Sequence, residues 1–285
     1  MDLESLIGVV GAGTMGNGIA HVCARAGYRV MLYDVSHPAL YTGLERIQSN
    51  FAREVAKQRL TVQQADAARA RITLTTQLED LAPGAVVIEA APERFAVKAE
   101  VFRELDRLLG PESVIASNTS SISITKLAAV TRRPGRVIGM HFFNPVPVMR
   151  LVEVIRGLET TEETFERVKA LAEGLDKTPV EVHDAAGFVS NRVLMPLINE
   201  AAYSVMEGVA TAEAVDQVFK LGMAHPMGPL TLADFIGLDV CVDILRVLQE
   251  GFGDPKYSPC PLLVRMVDAG WLGRKSGRGF YSYEK

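Results

Sequence analysis

Cysteine, histidine and tryptophan are scarce in this chain of 285 residues, which contains three cysteines, five histidines and one tryptophan. Cys23, Cys241 and Cys260 are widely separated and odd in number, so they predict neither a disulfide framework nor a zinc site. A low cysteine content is typical of proteins in a reducing compartment. These absences exclude a small disulfide-stabilised scaffold and make a bound metal unexpected.

Long apolar runs and basic clusters are also missing. No apolar stretch approaches the roughly 18 residues of a membrane-spanning helix, and the first five residues carry two acids and no base, unlike a signal peptide. The 30 basic and 34 acidic residues give a net charge of −4, whereas nucleic-acid phosphates are bound by clustered Lys and Arg. We therefore expect a cytoplasmic protein with neither membrane nor nucleic acid among its partners.

The order of strand and helix patterns predicts two domains. Up to residue 185, short apolar runs alternate with helical segments, which is typical of a doubly wound, mostly parallel sheet. Residues 38–73 are predicted to be helical. From residue 186 no strand pattern remains, and four helical segments alternate with proline and glycine. The predicted α/β protein has a Rossmann-like domain over residues 1–185 and a smaller all-helical C-terminal domain over residues 186–285.

The turn Gly11-Ala-Gly13-Thr14-Met15-Gly16 follows an apolar run and opens a helix. In dinucleotide-binding turns the first glycine permits the bend, the second admits the pyrophosphate close to the backbone, and the third allows close helix packing. Asp34 ends the second predicted strand, where a carboxylate accepts hydrogen bonds from the adenosine ribose and repels a 2′-phosphate. The turn and Asp34 therefore predict NAD rather than NADP as the cofactor.

His141 is the candidate proton shuttle among the histidines. It stands where an apolar strand runs into Phe142-Phe-Asn-Pro145, at the kind of strand end where open α/β sheets build active sites. Glu153 lies in the apolar strand 151–155, where a carboxylate is costly unless it is paired. Since a short proline-rich link joins the two strands, we predict that the two side chains are partners. A core histidine and a sheet-edge glutamate reaching water are the alternatives.

Two further polar segments are candidates for the same site. The segment Ser117-Asn-Thr-Ser-Ser121 follows another apolar strand, and Asn191 lies just after the predicted domain boundary. Strand ends and domain junctions are common ligand sites. Equally, the hydroxyl groups could cap the next helix, and Asn191 could be a helix cap.

A set of motifs in this order closely resembles the L-3-hydroxyacyl-CoA dehydrogenase family, particularly its bacterial 3-hydroxybutyryl-CoA dehydrogenases. The motifs cover nearly the whole chain: Gly11-Ala-Gly-Thr-Met-Gly-Asn-Gly-Ile19, Ser117-Asn-Thr-Ser-Ser121, His141-Phe-Phe-Asn-Pro145, Leu151-Val-Glu-Val154, Asp184-x-x-Gly-Phe-Val-x-Asn-Arg192, Pro226-Met-Gly-Pro229 and Lys275-Ser-Gly-Arg-Gly-Phe280.

The resemblance implies a role for each matching residue. It implies a catalytic His141 oriented by Glu153, with Ser120 and Asn191 contacting the reacting oxygen and the thioester region of the substrate. Contacts with the dinucleotide are implied for the glycine turn, Asp34, Ser120, Glu93, Lys98, Asn144 and Lys275. Contacts with the CoA phosphates are implied for Arg53 and Lys57. The family also dimerises through its C-terminal helices, which implies a homodimer.

The turn and Asp34 predict an NAD-dependent oxidoreductase, and the resemblance implies that it converts (3S)-3-hydroxyacyl-CoA, a short-chain thioester, into 3-ketoacyl-CoA in lipid metabolism. One alternative is a related dehydrogenase of a non-CoA 3-hydroxy acid such as gulonate. Another is a structural protein that keeps the nucleotide fold without turnover.

Overall fold

The structure is a computed structural model that describes residue 2 and residues 4–283. Two compact units follow one another along the chain, the first ending at Ala185 and the second beginning at Ala186. Within the described residues, no helix combines the length and the apolar character that crossing a membrane requires.

The first unit is built on an eight-stranded sheet, which confirms the predicted fold class. Its order is β3-β2-β1-β4-β5-β6-β7-β8, and the neighbours run parallel except at the antiparallel pair β6–β7. The chain leaves β1 in one direction toward β2 and β3, and then returns to β4 on its other side. That reversal of strand order opens a crevice at the carboxyl ends of the strands, where open α/β sheets bind ligands. The strands are β1 Leu6–Val10, β2 Arg29–Tyr33, β3 Ile72–Thr75, β4 Val86–Glu89, β5 Val114–Ser117, β6 Val137–Phe142, β7 Leu151–Arg156 and β8 Thr178–His183.

Helices connect most of these strands and bury the apolar faces of the sheet. Ile7, Val9 and Ile88 of the central strands are fully buried, and burial of each such side chain stabilises the fold by about 1.5–3 kcal/mol. The helices of this unit are α1 Thr14–Arg25, α2 His37–Ala56, α3 Val62–Ala70, α4 Phe95–Leu108, α5 Ile124–Ala128 and α6 Glu162–Gly174.

The prediction of continuous helix over residues 38–73 is wrong in two places. Gln58 adopts a positive φ of 56°, and Thr61 then starts α3 with a capping box that includes Gln64. The Thr-x-x-Gln spacing is a sequence signal for this second helix. Residues 72–75 form β3, which pairs in parallel with β2. A strand of four residues is too short for its alternation to be separated from helical periodicity.

The second unit is helical, as the sequence predicts. Its buried core includes Met195, Ile198, Leu238, Leu245 and Leu263, all with no exposed surface. A short π-helical segment covers Val218–Gly222. The helices are α7 Ser190–Met206, α8 Ala212–Gln217, α9 Pro229–Ile236, α10 Leu238–Phe252 and α11 Pro261–Asp268.

A buried carboxylate explains the closing glycine-rich motif of this unit. Asp234 on α9 is 1% exposed, and its oxygens accept hydrogen bonds from the backbone N–H groups of Phe280 and Tyr281 at 2.9 and 3.0 Å. A Cβ on Gly279 would overlap the Asp234 carboxylate. The motif therefore docks the end of the chain onto the helical core.

A buried lysine holds the proline-rich link between β6 and β7. The Nζ of Lys177, just before β8, donates hydrogen bonds to the carbonyl oxygens of Val146 and Met149 at 2.6 and 2.9 Å, and the residue is 6% exposed. Burial, together with the nearby Arg25 guanidinium, lowers the pKa of Lys177 from 10.5 to about 8. Lys177 donates two hydrogen bonds to the link, and its neutral amine still has the two N–H groups that these bonds require.

We expect the Lys177 titration to change stability at alkaline pH. Between about pH 8 and 10.5 the unfolded chain binds the Lys177 proton more tightly than the folded one, so the free energy of unfolding rises with pH. Relative to Lys177→Met, the wild type should gain on the order of 2 kcal/mol across this window. Urea unfolding of both proteins at about pH 7.5, 9 and 10 measures the gain. The wild type should show no such gain relative to Lys169→Met, a variant that keeps Lys177, and parallel curves for Lys177→Met and wild type would contradict the expectation.

Candidate active site

The glycine turn between β1 and α1 has the geometry of a phosphate-binding loop. Gly11 adopts a φ of +98°, and a Cβ on Gly16 would overlap the carbonyl oxygen of Gly11. By contrast, a Cβ on Gly13 would meet nothing within 4 Å, so the backbone at Gly13 is open to an approaching group. Gly13 is also the N-cap of α1, and no side chain caps that helix end. The N–H groups of the first turn can therefore bind a pyrophosphate.

Asp34 is oriented by the backbone next to this turn. Its Oδ2 accepts a hydrogen bond from the N–H of Ala12 at 2.8 Å, and its Oδ1 accepts one from the N–H of Ser36 at 3.0 Å. The carboxylate is thus held just beyond the carboxyl end of β2, in direct contact with the glycine turn. Each oxygen keeps a second lone pair for a ribose hydroxyl. The turn and this carboxylate together fit NAD.

Glu93 binds the serine-rich loop that follows β5. Its Oε1 accepts hydrogen bonds from the Oγ1 of Thr119 at 2.5 Å, from the N–H groups of Ser120 and Ser121 at 2.9 and 3.1 Å, and from both serine hydroxyls. Desolvation raises the pKa of Glu93, but the Lys98 ammonium and these hydrogen bonds outweigh it and hold the pKa below its ordinary value. The predicted site residues Glu93 and Ser120 are therefore in direct contact.

Lys98 lies beneath this loop on α4 and is 1% exposed. Its Nζ contacts the Oε1 of Glu89 at 2.6 Å and the Oε2 of Glu93 at 3.3 Å. One ammonium thus stands between two carboxylates, only one of which, Glu93, the sequence singled out.

His141 and Glu153 form a buried pair. Antiparallel pairing of β6 with β7 sets the two residues opposite each other in register, and the Nδ1 of His141 lies 2.8 Å from the Oε2 of Glu153. The residues are 8% and 3% exposed. Since an ionised carboxylate only accepts hydrogen bonds, Nδ1 carries the proton and Nε2 is the basic ring atom. The predicted contact is present; its catalytic role stays a prediction.

A side-chain hydrogen bond connects the end of β6 to the serine-rich loop. The Oδ1 of Asn118 accepts a hydrogen bond from the N–H of Phe142 at 2.9 Å, one residue beyond His141. β5 and β6 are also neighbours in the sheet, with Ser117 opposite Gly139. The predicted loop and the predicted base therefore stand at adjacent strand ends.

Three of the predicted contact residues line one cleft in the first unit. Thr14, Arg53 and Asn144 surround a volume of about 320 Å³ together with Arg46, which the sequence analysis did not select. Lys57 is the C-cap of α2 and is exposed, and it is not among the residues that line this cleft. The cleft thus joins the start of α1 to a cationic face of α2.

Two predicted site residues belong to the second unit. Asn191 lies in the first turn of α7, where its N–H donates to the carbonyl oxygen of Gly187 at 3.1 Å. The Nζ of Lys275 binds the Asp239 carboxylate at 2.6 Å. Their contacts with the substrate and the dinucleotide stay predictions.

The residue that the sequence analysis missed most clearly is Glu89. It ends the apolar strand Val86–Glu89 and has no exposed surface. The argument that selected Glu153, a carboxylate in an apolar strand, applies equally to Glu89 and could have found it.

The sheet, the glycine turn and the buried pair define an NAD-binding protein of the Rossmann class with a separate helical unit. Comparison with known proteins agrees with this class. Residues 6–185 match the NAD-binding domain of 3-hydroxyacyl-CoA dehydrogenase, and residues 187–283 match the C-terminal domain of the same family. The chain belongs to the 3-hydroxyacyl-CoA dehydrogenase family.

Individual relatives span the full chain. It is 57% identical over 285 residues to a probable 3-hydroxybutyryl-CoA dehydrogenase of Bacillus subtilis, covering 100% of this chain and 99% of the relative. It is 54% identical to a 3-hydroxybutyryl-CoA dehydrogenase of Bradyrhizobium diazoefficiens, covering 97% of this chain and 94% of the relative. The crystal structure of (S)-3-hydroxybutyryl-CoA dehydrogenase from Ralstonia eutropha superposes with a TM-score of 0.96 at 50% identity, covering 99% of this chain and 100% of that one.

Two glycine substitutions separate cofactor binding from folding. Gly13→Ala should leave the thermal midpoint unchanged, because its Cβ meets nothing within 4 Å, yet weaken NADH binding about tenfold or more where the pyrophosphate approaches. Gly16→Ala should lower both the thermal midpoint and the affinity for NADH, since its Cβ overlaps Gly11 and overpacking costs about 1–3 kcal/mol. Fluorescence titration with NADH and thermal unfolding measure the two effects. Wild-type NADH affinity in Gly13→Ala would place the cofactor elsewhere.

Proposed function

We propose that this protein oxidises short-chain (3S)-3-hydroxyacyl-CoA thioesters, such as 3-hydroxybutyryl-CoA, to 3-ketoacyl-CoA with NAD, and that it catalyses the reverse reduction. The observation that carries the proposal is the buried His141–Glu153 pair at a strand end of a nucleotide-binding sheet. The names of the Bacillus and Ralstonia relatives support the short acyl chain.

In the proposed mechanism His141 is the general base. Its Nε2 removes the proton of the C3 hydroxyl group. NAD, held by the glycine turn and Asp34, would supply the acceptor for the C3 hydride. An imidazolium then forms in a buried place, where an isolated charge is costly. The Glu153 carboxylate at 2.8 Å from Nδ1 stabilises this cation and fixes the tautomer. In the reductive direction the imidazolium is the acid.

Ser120 and Asn191 are proposed to position the substrate. The hydroxyl group of Ser120 belongs to the loop that Glu93 holds through five hydrogen bonds, so its orientation is restricted before substrate binds. Such preorganisation lowers the entropy cost of aligning the C3 carbon. Asn191 supplies amide donors from the second unit in the same proposal.

The CoA phosphates are proposed to bind the cationic face of α2 at Arg53 and Lys57. Arg53 lines the cleft beside Thr14 and Asn144 and is exposed, and its guanidinium contacts the neutral Asn50 at 3.4 Å. Asp34, Glu93, Lys98, Asn144 and Lys275 complete the proposed dinucleotide contacts.

We also propose that the protein is a homodimer assembled through its second unit. Val193, Leu221 and Phe235 of this unit are 66%, 84% and 51% exposed, and a second copy of the chain would cover such apolar side chains. Sedimentation equilibrium measures the assembly state.

A cytoplasmic location is proposed from the three cysteines, which are unpaired and buried, and cell fractionation tests it.

A kinetic panel tests the reaction and its substrate class. We expect NADH oxidation with acetoacetyl-CoA, a kcat/KM that falls as the acyl chain lengthens from about four to sixteen carbons, and a preference for NADH over NADPH through Asp34. Gulonate oxidation without acetoacetyl-CoA reduction would favour the non-CoA dehydrogenase. An absence of turnover with every substrate, combined with tight NADH binding, would favour the silent binding protein.

Removing the charge of Glu153 should lower kcat by a large factor. Glu153→Gln keeps the size of the side chain but removes the charge that stabilises the imidazolium. The equivalent Asp→Asn change in serine proteases lowers kcat about 10⁴-fold, and we expect roughly 10²- to 10³-fold here, with little change in KM for NADH. Stopped-flow and steady-state kinetics measure the loss, with the exposed Glu166→Gln as control. A loss below about tenfold would reduce Glu153 to a structural residue.

The proposed CoA contact predicts a binding defect without a chemical one. Arg53→Gln combined with Lys57→Gln should raise KM for acetoacetyl-CoA roughly tenfold and leave kcat nearly unchanged, because the contact is equal in ground and transition states. The increase should shrink at high salt, where exposed charges are screened. Arg103→Gln with Lys169→Gln removes two charges elsewhere as a control, since Arg103 is exposed on α4 and Lys169 half-buried on α6. An unchanged KM would move the CoA site away from α2.

A further inference from the structure

A buried carboxylate lies behind the proposed cofactor contacts, at the carboxyl end of β4. The Oε1 of Glu89 accepts hydrogen bonds from the Nζ of Lys98 and the N–H of Ala91, both at 2.6 Å, and its Oε2 accepts one from the hydroxyl of Ser117 at 2.6 Å. Glu89 has no exposed surface. Burying a charge is costly unless it is paired, and these short bonds provide the partners that a buried carboxylate needs.

The position of Lys98 between two carboxylates is unequal. Its Nζ lies 2.6 Å from Glu89 but 3.3 Å from Glu93, and it also donates to the carbonyl oxygen of Ala91 at 3.1 Å. Since Coulomb attraction grows as distance falls, Glu89 is the stronger partner of the ammonium. Glu93 can therefore turn its other oxygen, Oε1, toward the serine-rich loop.

The Oε1 of Glu93 holds the serine-rich loop in place. Two of its hydrogen bonds come from backbone N–H groups, those of Ser120 and Ser121 at 2.9 and 3.1 Å, so it fixes the chain itself and not only the side chains. Glu89 also holds the loop from the opposite side, because the Ser117 oxygen that donates to it accepts the N–H of Thr119 at 3.2 Å. Glu89 and Glu93 therefore both bind the five-residue segment 117–121.

We propose that Glu89 is a positioning residue for Ser120: it neutralises Lys98, leaves Glu93 available to the loop, and anchors the loop start through Ser117. The proposal rests on the proposed function in assigning Ser120 to the substrate. Without the Glu89 charge, the Lys98 ammonium is left with Glu93 as its carboxylate partner among the described residues, and the two draw together. Glu93 then exchanges its hydrogen bonds with the loop for a tighter ion pair.

The alternative is that Glu89 is only a counter-ion that keeps a buried lysine stable. Asp106 provides a matched control, because it lies on α4 as Lys98 does, is 5% exposed, and is bound by the guanidinium groups of Arg132 and Arg133 at 3.0 and 2.7 Å. Asp106→Asn removes a buried counter-ion that makes no hydrogen bond to the serine-rich loop. A purely structural role makes Glu89→Gln and Asp106→Asn behave alike.

The first test is hydrogen–deuterium exchange of the full-length protein, with no cofactor added. In wild type the amides of Ser120 and Ser121 should be protected by Glu93, and in Glu89→Gln they should exchange at least about tenfold faster, while Asp106→Asn leaves them unchanged. Ser117→Ala, which removes the hydrogen bonds of this hydroxyl with Glu89 and with the N–H of Thr119, should raise the exchange severalfold and serves if Glu89→Gln does not fold. Unchanged exchange in both Glu89→Gln and Ser117→Ala overturns the proposal.

The second test is steady-state kinetics with acetoacetyl-CoA and NADH, below the thermal midpoint of every variant. We expect kcat to fall roughly 10- to 100-fold in Glu89→Gln, severalfold in Ser117→Ala, and not at all in Asp106→Asn. Faster exchange with a wild-type kcat overturns the link to catalysis. If the wild type itself does not turn over, the proposed function fails, while the exchange measurement still decides whether Glu89 holds the loop.

Discussion

The antiparallel pairing of β6 with β7 is the constraint on which the candidate active site depends. The other strand pairs of the sheet are parallel, and a parallel return would need a crossover connection before Glu153 could reach His141. A short link instead reverses the chain and sets the two residues opposite each other. A slip of one residue would turn Glu153 to the other face of the sheet. Lys177, bonded to two carbonyl oxygens of the link, opposes such a slip.

Paired burial of charge is the second organising principle of the first unit. Glu153 faces His141, and Glu89 faces Lys98. Both carboxylates lie toward the carboxyl ends of the parallel strands, where the nucleotide turn follows β1. Isolated charges there would be unstable, and each pair is short enough for a charge-assisted hydrogen bond. The rigidity of the proposed site therefore comes from charge-assisted hydrogen bonds within the protein, and the proposed ligands meet side chains that are already oriented.

The second unit uses the same physics for a structural purpose. Asp216 and Asp234 are 4% and 1% exposed, and they accept hydrogen bonds from the segment 280–283 through backbone N–H groups and the hydroxyls of Tyr281 and Tyr283. Glycines at 228 and 279 leave room for these two carboxylates. Packing around these carboxylates thus explains Gly228 in the motif 226–229 and Gly279 in the motif 275–280. A contact of Lys275 with a dinucleotide is a separate proposal.

The sequence by itself determined the fold class, the nucleotide turn, the helical second half and the pairing of His141 with Glu153. Each of these follows from local periodicity, glycine spacing or a charge in an apolar strand, signals that a few neighbouring residues carry. Only the tertiary structure decided that residues 72–75 join the sheet, that Arg46 lines the cleft, and that Glu89 contacts Lys98 and Ser117, nine and 28 residues away. Strand order brings such partners into one buried volume, and that order depends on the packing of the whole unit rather than on any local pattern.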